Sequence, residues 1–174
     1  CFEDMDVIIA PHCDITNAES GTSMAVIPIR LKYIGDNNNF SPLDSYLFIF
    51  NALTLLLKGV PTNCFIDNIS ITNVSPSDNS FLQSEAKFYI KATTLNEAEI
   101  LERKIVTLIN SLSQIISVTK DISLFELPSE ELLTNKSLSR LLAHNLKECG
   151  IINIDCCKNS SYGLGIGAIS HITP

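Results

Sequence analysis

Ser84-Glu85-Ala86-Lys87-Phe88-Tyr89-Ile90-Lys91-Ala92-Thr93-Thr94-Leu95-Asn96-Glu97 is the stretch on which the fold turns. Ala86, Phe88 and Ile90 alternate with Glu85, Lys87 and Lys91, and successive side chains of a strand point to opposite faces, so residues 84–93 read as a strand with one face in a core. Thr94 then stands three residues before Glu97, the spacing at which a capping box satisfies two orphaned backbone N–H groups. A helix follows, with Ala98, Leu101, Ile105, Leu108 and Leu112 on one face. Upstream, Phe65, Ile69 and Ile71 mark a strand over residues 63–74, closed by the turn-rich Ser75-Pro76-Ser77-Asp78-Asn79. Before it, Leu43, Leu47, Phe50, Leu53 and Leu57 recur at helical spacing between Pro42 and Lys58-Gly59, with proline at the start and glycine past the end. Residues 24–34 begin the series, with Ile29, Leu31 and Tyr33 opposed to Arg30 and Lys32. Downstream, Ile115-Ile116-Ser117-Val118 reads as a short fourth strand. The order βαββαβ over about residues 24–124 predicts an α+β, ferredoxin-like sandwich: a four-stranded antiparallel sheet with two helices on one face. After a linker near residues 126–135, Leu138, Leu141, Leu142 and Cys149 mark a separate amphipathic helix ending at Gly150.

The chain of 174 residues is 45% hydrophobic, enough to bury a core. Twelve basic against 19 acidic residues give a net charge of -7, and no Lys/Arg cluster is present to neutralise phosphates, so nucleic acid is not expected as a partner. The most apolar run, residues 46–57, is about half the roughly 20 residues a membrane span needs, so no membrane partner is expected. The six cysteines are irregularly spaced and no signal-peptide pattern opens the chain, which favours reduced thiols and a cytoplasmic setting. Adjacent Cys156 and Cys157 have no C-x-x-C partner and read as two semi-buried thiols. Cys1 is followed almost at once by the strand pattern Val7-Ile8-Ile9-Ala10, and Pro174 directly follows a glycine-rich loop, so both ends read as cuts in a longer protein.

A ferredoxin-like unit does not name a function, because the fold hosts unrelated activities. The flanks carry more. Phe2-Glu3-Asp4-Met5-Asp6-Val7-Ile8-Ile9-Ala10-Pro11-His12 resembles the segment of bacterial amidohydrolases in which an acidic turn enters a strand ending in histidine. Gly35, Asn51-Ala52-Leu53, Glu85-Ala86-Lys87-Phe88-Tyr89-Ile90, Asn145, Gly150 and Ser170-His171-Ile172-Thr173-Pro174 continue the resemblance in order. Together they are similar to the zinc-dependent amidohydrolases of the aminoacylase and carboxypeptidase-G type, which include auxin-conjugate, aminobenzoyl-glutamate and N-acyl amino acid hydrolases. The resemblance implies a catalytic-domain remnant over residues 1–22, a lid and dimerisation domain over 23–125, and a return to the catalytic domain over 126–174. It implies zinc or manganese in the full-length parent, a water attacking the amide of a small N-acyl amino acid or peptide, and a homodimer formed by the lid through an exposed sheet edge and the neighbouring helix surface.

On that resemblance His12 is the one metal ligand, and Asn39 and Asn79 are substrate-binding positions; no catalytic residue falls in this chain. Cys13 and Asp14 are not co-ligands, since neighbours on a strand point to opposite faces. One histidine does not hold a catalytic zinc, which takes about three protein ligands, so the chain alone is expected to be inactive. His144 is read at the polar border of its helix and His171 as a loop histidine. Three positions depart from the family pattern. Asn39 lies where a lid histidine stands, and Gly165 and Ala168 replace acidic and amide side chains. They keep a second reading open: a catalytically dead homologue, or a ferredoxin-like dimerisation or binding module. The glycines of Gly163-Leu164-Gly165-Ile166-Gly167 have no lysine or following helix and are not read as a phosphate cradle.

Overall fold

The computed structural model describes residues 7–9, 16–34, 41–74, 83–160 and 166–172. Its elements are β1 (Gly21–Ser23), β2 (Ala25–Ile34), α1 (Pro42–Leu57), β3 (Phe65–Val74), β4 (Gln83–Ala92), α2 (Leu95–Ile115), β5 (Thr119–Leu124), α3 (Lys136–Glu148), β6 (Lys158–Ser160) and α4 (Gly167–Ser170). They fall into two compact units, one of residues 1–26, 93–95 and 129–174, the other of residues 27–92 and 96–128. Among the described residues no helix is long and apolar enough to cross a membrane.

The second unit is the ferredoxin-like sandwich. Its four strands form one antiparallel sheet in the order β3-β4-β2-β5, with both helices on one face. β2 and β5 pair with Leu31 opposite Ile122, and β3 and β4 with Ile66 opposite Ile90. Alternation sends Ile29, Leu31 and Tyr33 of β2 and Ala86, Phe88 and Ile90 of β4 to the helix side, where all are buried. Tyr46 of α1 meets Tyr33 edge-on at 4.9 Å, and Phe50 meets Phe88 at 6.2 Å. The Tyr33 hydroxyl is hydrogen-bonded to Ser113 of α2 at 3.1 Å, so both helices hold the same sheet face. The buried Tyr46 hydroxyl reaches the carbonyls of Leu31 and Ser84 at 2.7 and 2.6 Å, and burial pushes it far above its usual pKa.

Ser41 caps α1, its Oγ accepting the Leu43 N–H at 3.3 Å, and Pro42 supplies the first helical position. The face that α1 buries differs from the one expected. Pro42, Ser45, Tyr46, Ile49 and Leu53 are buried, while Leu43 and Leu47 are exposed. Leucine or phenylalanine recurs on several sides of this helix, so the spacing of leucines alone does not fix its phase; Asp44 and Asn51 face outward, and the Tyr46 hydroxyl reaches two carbonyls inward. On α2 the buried line is Ala98, Leu101, Ile105, Ile109 and Ser113, one position past Leu108 and Leu112, which are partly exposed.

The fourth strand also differs: it is Thr119–Leu124, not residues 115–118. Ile115 ends α2, and Ser117 takes φ 52. The Ser117 N–H donates to Gln114 O at 3.3 Å and the Val118 N–H to Ser113 O at 3.2 Å, which is a Schellman cap. The β-branched run closes a helix, and the strand behind it is a half-solvated edge with a weak alternation. On the sheet face away from the helices, Lys91 is 3% exposed and its Nζ lies 2.6 Å from Asp67 Oδ2. Hydrogen bonding to Lys91 and to the Asn68 N–H holds the Asp67 carboxyl below the usual range. Asp67 and Asn68 (φ 52) sit at a bulge in β3, beyond which pairing resumes at Ser70.

Candidate functional site

The first unit is organised by one parallel pair. β1 runs beside β6 with Gly21 opposite Lys158 and Ser23 opposite Ser160. The pairing is prepared upstream, where the Glu19 N–H donates to Asp155 O and the Asp155 N–H to Asn17 O, both at 2.9 Å. Residues 129–135 are stitched to the same strands. Val26 and Ser129 exchange backbone hydrogen bonds of 2.8 and 2.9 Å, and Thr134 Oγ1 donates to Gly21 O. Asn135 then caps α3 by accepting the N–H groups of Ser137 and Leu138 at 3.0 and 3.2 Å. Gly150, at φ 88, ends the helix in a Schellman cap, with the Ile151 N–H on Leu146 O at 3.0 Å.

The short α4 presses on this returning segment. A Cβ at Gly167 would stand 1.9 Å from the Glu130 carbonyl oxygen, so only glycine fits. Ser170 Oγ accepts the Leu133 N–H at 2.9 Å and donates to Gly167 O at 2.6 Å. Between α3 and α4 lies a cleft of about 310 Å³. Ile9, Leu132, Leu138, Leu142 and Ile169 give it apolar walls, and Thr134 and Ser170 add hydroxyls. Such a lining is mainly apolar, the kind of surface that suits an apolar group.

Glu19 is a titratable residue of the lining. His171 follows the lining residue Ser170, and its Nε2 lies 3.1 Å from Glu131 O and 4.0 Å from carboxylate oxygens of Glu130 and Glu131. Glu131 also accepts the Leu95 N–H at 2.8 Å. Sequence reading did not single out Glu130 or Glu131, since nothing in a polar linker marks which carboxylates fold back on a histidine. His144 is exposed and pairs with Glu148 at 3.3 Å, as expected of a polar helix border. Cys156 and Cys157, read as semi-buried, are exposed, as is Cys149, whereas Cys64 is buried and its thiol pushed up by burial and by Glu97.

The residues assigned from sequence, His12, Asn39 and Asn79, lie outside the described residues, as does Gly165. Ala168 is exposed on α4. Among the described residues no group of three His, Cys, Asp or Glu side chains could hold a metal ion. A catalytic zinc takes about three protein ligands, so the described residues do not by themselves fit one.

No protein-family model matches the sequence, and no curated protein matches it. Solved structures match its fold. A hydantoinase/carbamoylase-family amidase from Burkholderia vietnamiensis superposes with a TM-score of 0.71 at 5% identity over 90% of this chain and 40% of its own. The YXEP protein of Bacillus subtilis, a dinuclear metal-binding peptidase from the M20 family, gives 0.65 at 9% identity over 92% and 43%. A hydantoinase/carbamoylase-family amidase from Burkholderia ambifaria gives 0.64 at 10% identity over 90% and 40%. The chain therefore has the fold of the amidohydrolase and M20-peptidase class, in agreement with the resemblance in its sequence. It spans about two fifths of the length of these structures.

Proposed function

We propose that this chain is the lid-bearing part of a metal-dependent amidohydrolase that cleaves the amide bond of N-acyl amino acids or short peptides. The observation that carries the reading is an insertion. A complete βαββαβ sandwich is interpolated in a chain whose flanks return to one parallel pair, Gly21–Ser23 beside Lys158–Ser160. The likeness in fold to an amidase and to a metal-binding peptidase, over nine tenths of the chain, supports it. In this reading His12 is the chain's contribution to a zinc or manganese site, and the metal polarises the amide and activates water. Asn39 and Asn79 contact the substrate, the sandwich forms a homodimer, and the protein works in the cytoplasm.

Asn39, Gly165 and Ala168 support a second reading, in which a homologue keeps the lid and its dimer without turnover. Asparagine at 39 stays polar but does not become cationic to balance an oxyanion. Hydrolysis by the complete parent protein, assayed on a panel of N-acyl amino acids and dipeptides, separates the two. The amidohydrolase reading expects turnover that a chelator abolishes and zinc or manganese restores. A folded, metal-loaded parent with no turnover on any member of the panel contradicts it and leaves the second reading.

A further inference from the structure

Cys156 and Cys157 are neighbours in sequence, both are exposed, and neither belongs to a disulfide. They sit inside the parallel pairing of the first unit, between two points at which it is fixed. On one side the Asp155 N–H donates to Asn17 O and Asp155 O accepts the Glu19 N–H, both at 2.9 Å. On the other the Lys158 N–H donates to Ser20 O at 3.1 Å, at the head of the strand pair Gly21–Ser23 and Lys158–Ser160. The N–H groups that a strand sends to one neighbour recur at every second residue. Asp155 and Lys158 are three apart, so the regular alternation is broken between them. The backbone bends at Cys156, whose carbonyl accepts the Ser20 hydroxyl at 3.0 Å. Neighbouring side chains on an unbroken strand point to opposite faces, and the bend lifts that rule for this pair.

What two adjacent thiols can take follows from their spacing. Consecutive α carbons are about 3.8 Å apart, whereas disulfides ordinarily join α carbons about 4.4–6.8 Å apart, so a direct bond between these sulfurs is strained and readily reduced. A third atom set between the sulfurs enlarges the ring and relieves that strain. Thiolates are soft ligands, which restricts the atom to a soft one. Tetrahedral zinc takes more protein ligands than a pair, and among the described residues no group of three His, Cys, Asp or Glu side chains could hold a metal ion. A linear two-coordinate ion sets its sulfurs on opposite sides, which adjacent residues do not supply. A pyramidal centre that bonds two neighbouring sulfurs and keeps its third substituent outside fits them.

We propose that Cys156 and Cys157 form a chelating site for trivalent arsenicals. With a monosubstituted arsenoxide, two arsenic–sulfur bonds replace the arsenic–oxygen double bond. The two thiol protons leave with that oxygen as water, and neither arsenic nor sulfur changes oxidation state.

Mass spectrometry of the complete parent protein treated with phenylarsine oxide tests it. The wild type should keep one phenylarsenic group, mapped to the peptide carrying Cys156 and Cys157, through washing with excess monothiol, and should release it to a 1,2-dithiol. C156S and C157S should each retain the label about a hundredfold less well, since the second bond no longer forms at high effective concentration. C149S should retain it as the wild type does. Circular dichroism checks that each variant is folded. In the unsubstituted protein, phenylarsine oxide should also shield Cys156 and Cys157, but not Cys149, from iodoacetamide. Wild-type label stripped by the monothiol overturns the proposal. So does label at this pair that survives in C156S or in C157S, loss of label in C149S, or equal alkylation of all three cysteines after treatment.

Discussion

Tyr33, Tyr46, Phe88, Leu101 and Ile105 of the sandwich are withdrawn from solvent almost completely, whereas Ile9, Leu133, Leu141, Leu142, Ile152 and Ile172 of the other unit remain 40% to 76% exposed. Among the described residues, the buried apolar side chains of that unit are Ala25, Val26 and Ala143 alone. The difference lies in what each chain segment can close. An antiparallel four-stranded sheet with both helices on one face buries that face entirely within itself. A parallel pair of three-residue strands buries little, and parallel sheets ordinarily need cover on both faces. The sandwich thus buries its own core, whereas the flanking unit keeps most of its large apolar side chains exposed among the described residues.

Truncating a side chain in each unit sharpens that contrast most. Phe88→Ala should cost about 3–5 kcal/mol, the cost of emptying a packed core site. Leu141→Ala, at a side chain 56% exposed, should change stability by less than about 0.5 kcal/mol. Urea denaturation of the two variants measures both, and equal losses would break the comparison. Gly167→Ala should act in the open unit through sterics, since the new methyl would collide with the Glu130 carbonyl. Hydrogen exchange should quicken at Ser129 and Leu133 with little change at β4 amides, and protection lost evenly in both units would argue against separate bodies.

Smaller effects concern polar groups of the sandwich. Tyr46→Phe leaves the Leu31 and Ser84 carbonyls without that donor and should cost about 1–3 kcal/mol by denaturant midpoint. Asp67 carries the smallest effect, visible in acid. Its folded pKa lies below the unfolded value of about 3.9, so its stabilisation is fully present above that value and is lost as pH falls through the folded pKa. Wild type should therefore lose more stability than Asp67→Asn between pH 7 and pH 3. Parallel acid limbs for the two proteins would show that the Lys91 contact contributes nothing.

The sandwich was legible because its strongest signals are local. Alternation at Ile29, Leu31 and Tyr33 and at Ala86, Phe88 and Ile90 reports a half-buried strand directly, and Pro42 opens its helix for steric reasons. The phase of α1 was misread by following its leucines, although Asp44, Asn51 and Lys58 share the exposed side opposite Tyr46, Ile49 and Leu53. β5 was obscured by the stronger apolar run before it, which Ser117 turns into a helix cap. The proposed site residues rest on resemblance alone: His12, Asn39 and Asn79 lie far apart in sequence, no local pattern marks them, and all three fall outside the described residues. The contacts of Glu130 and Glu131 with His171 are long-range, and no local pattern marks them either.

The central claim is that the flanking unit belongs to a metal-bearing catalytic domain with His12 as a ligand. Anomalous diffraction at the zinc and manganese edges, from crystals of the complete parent protein, tests it most directly. The account predicts a metal peak about 2.0–2.2 Å from a ring nitrogen of His12, with the remaining ligands supplied by segments outside this chain. Metal-soaked crystals with no peak near His12, or with a peak held by other residues while His12 packs elsewhere, would contradict it.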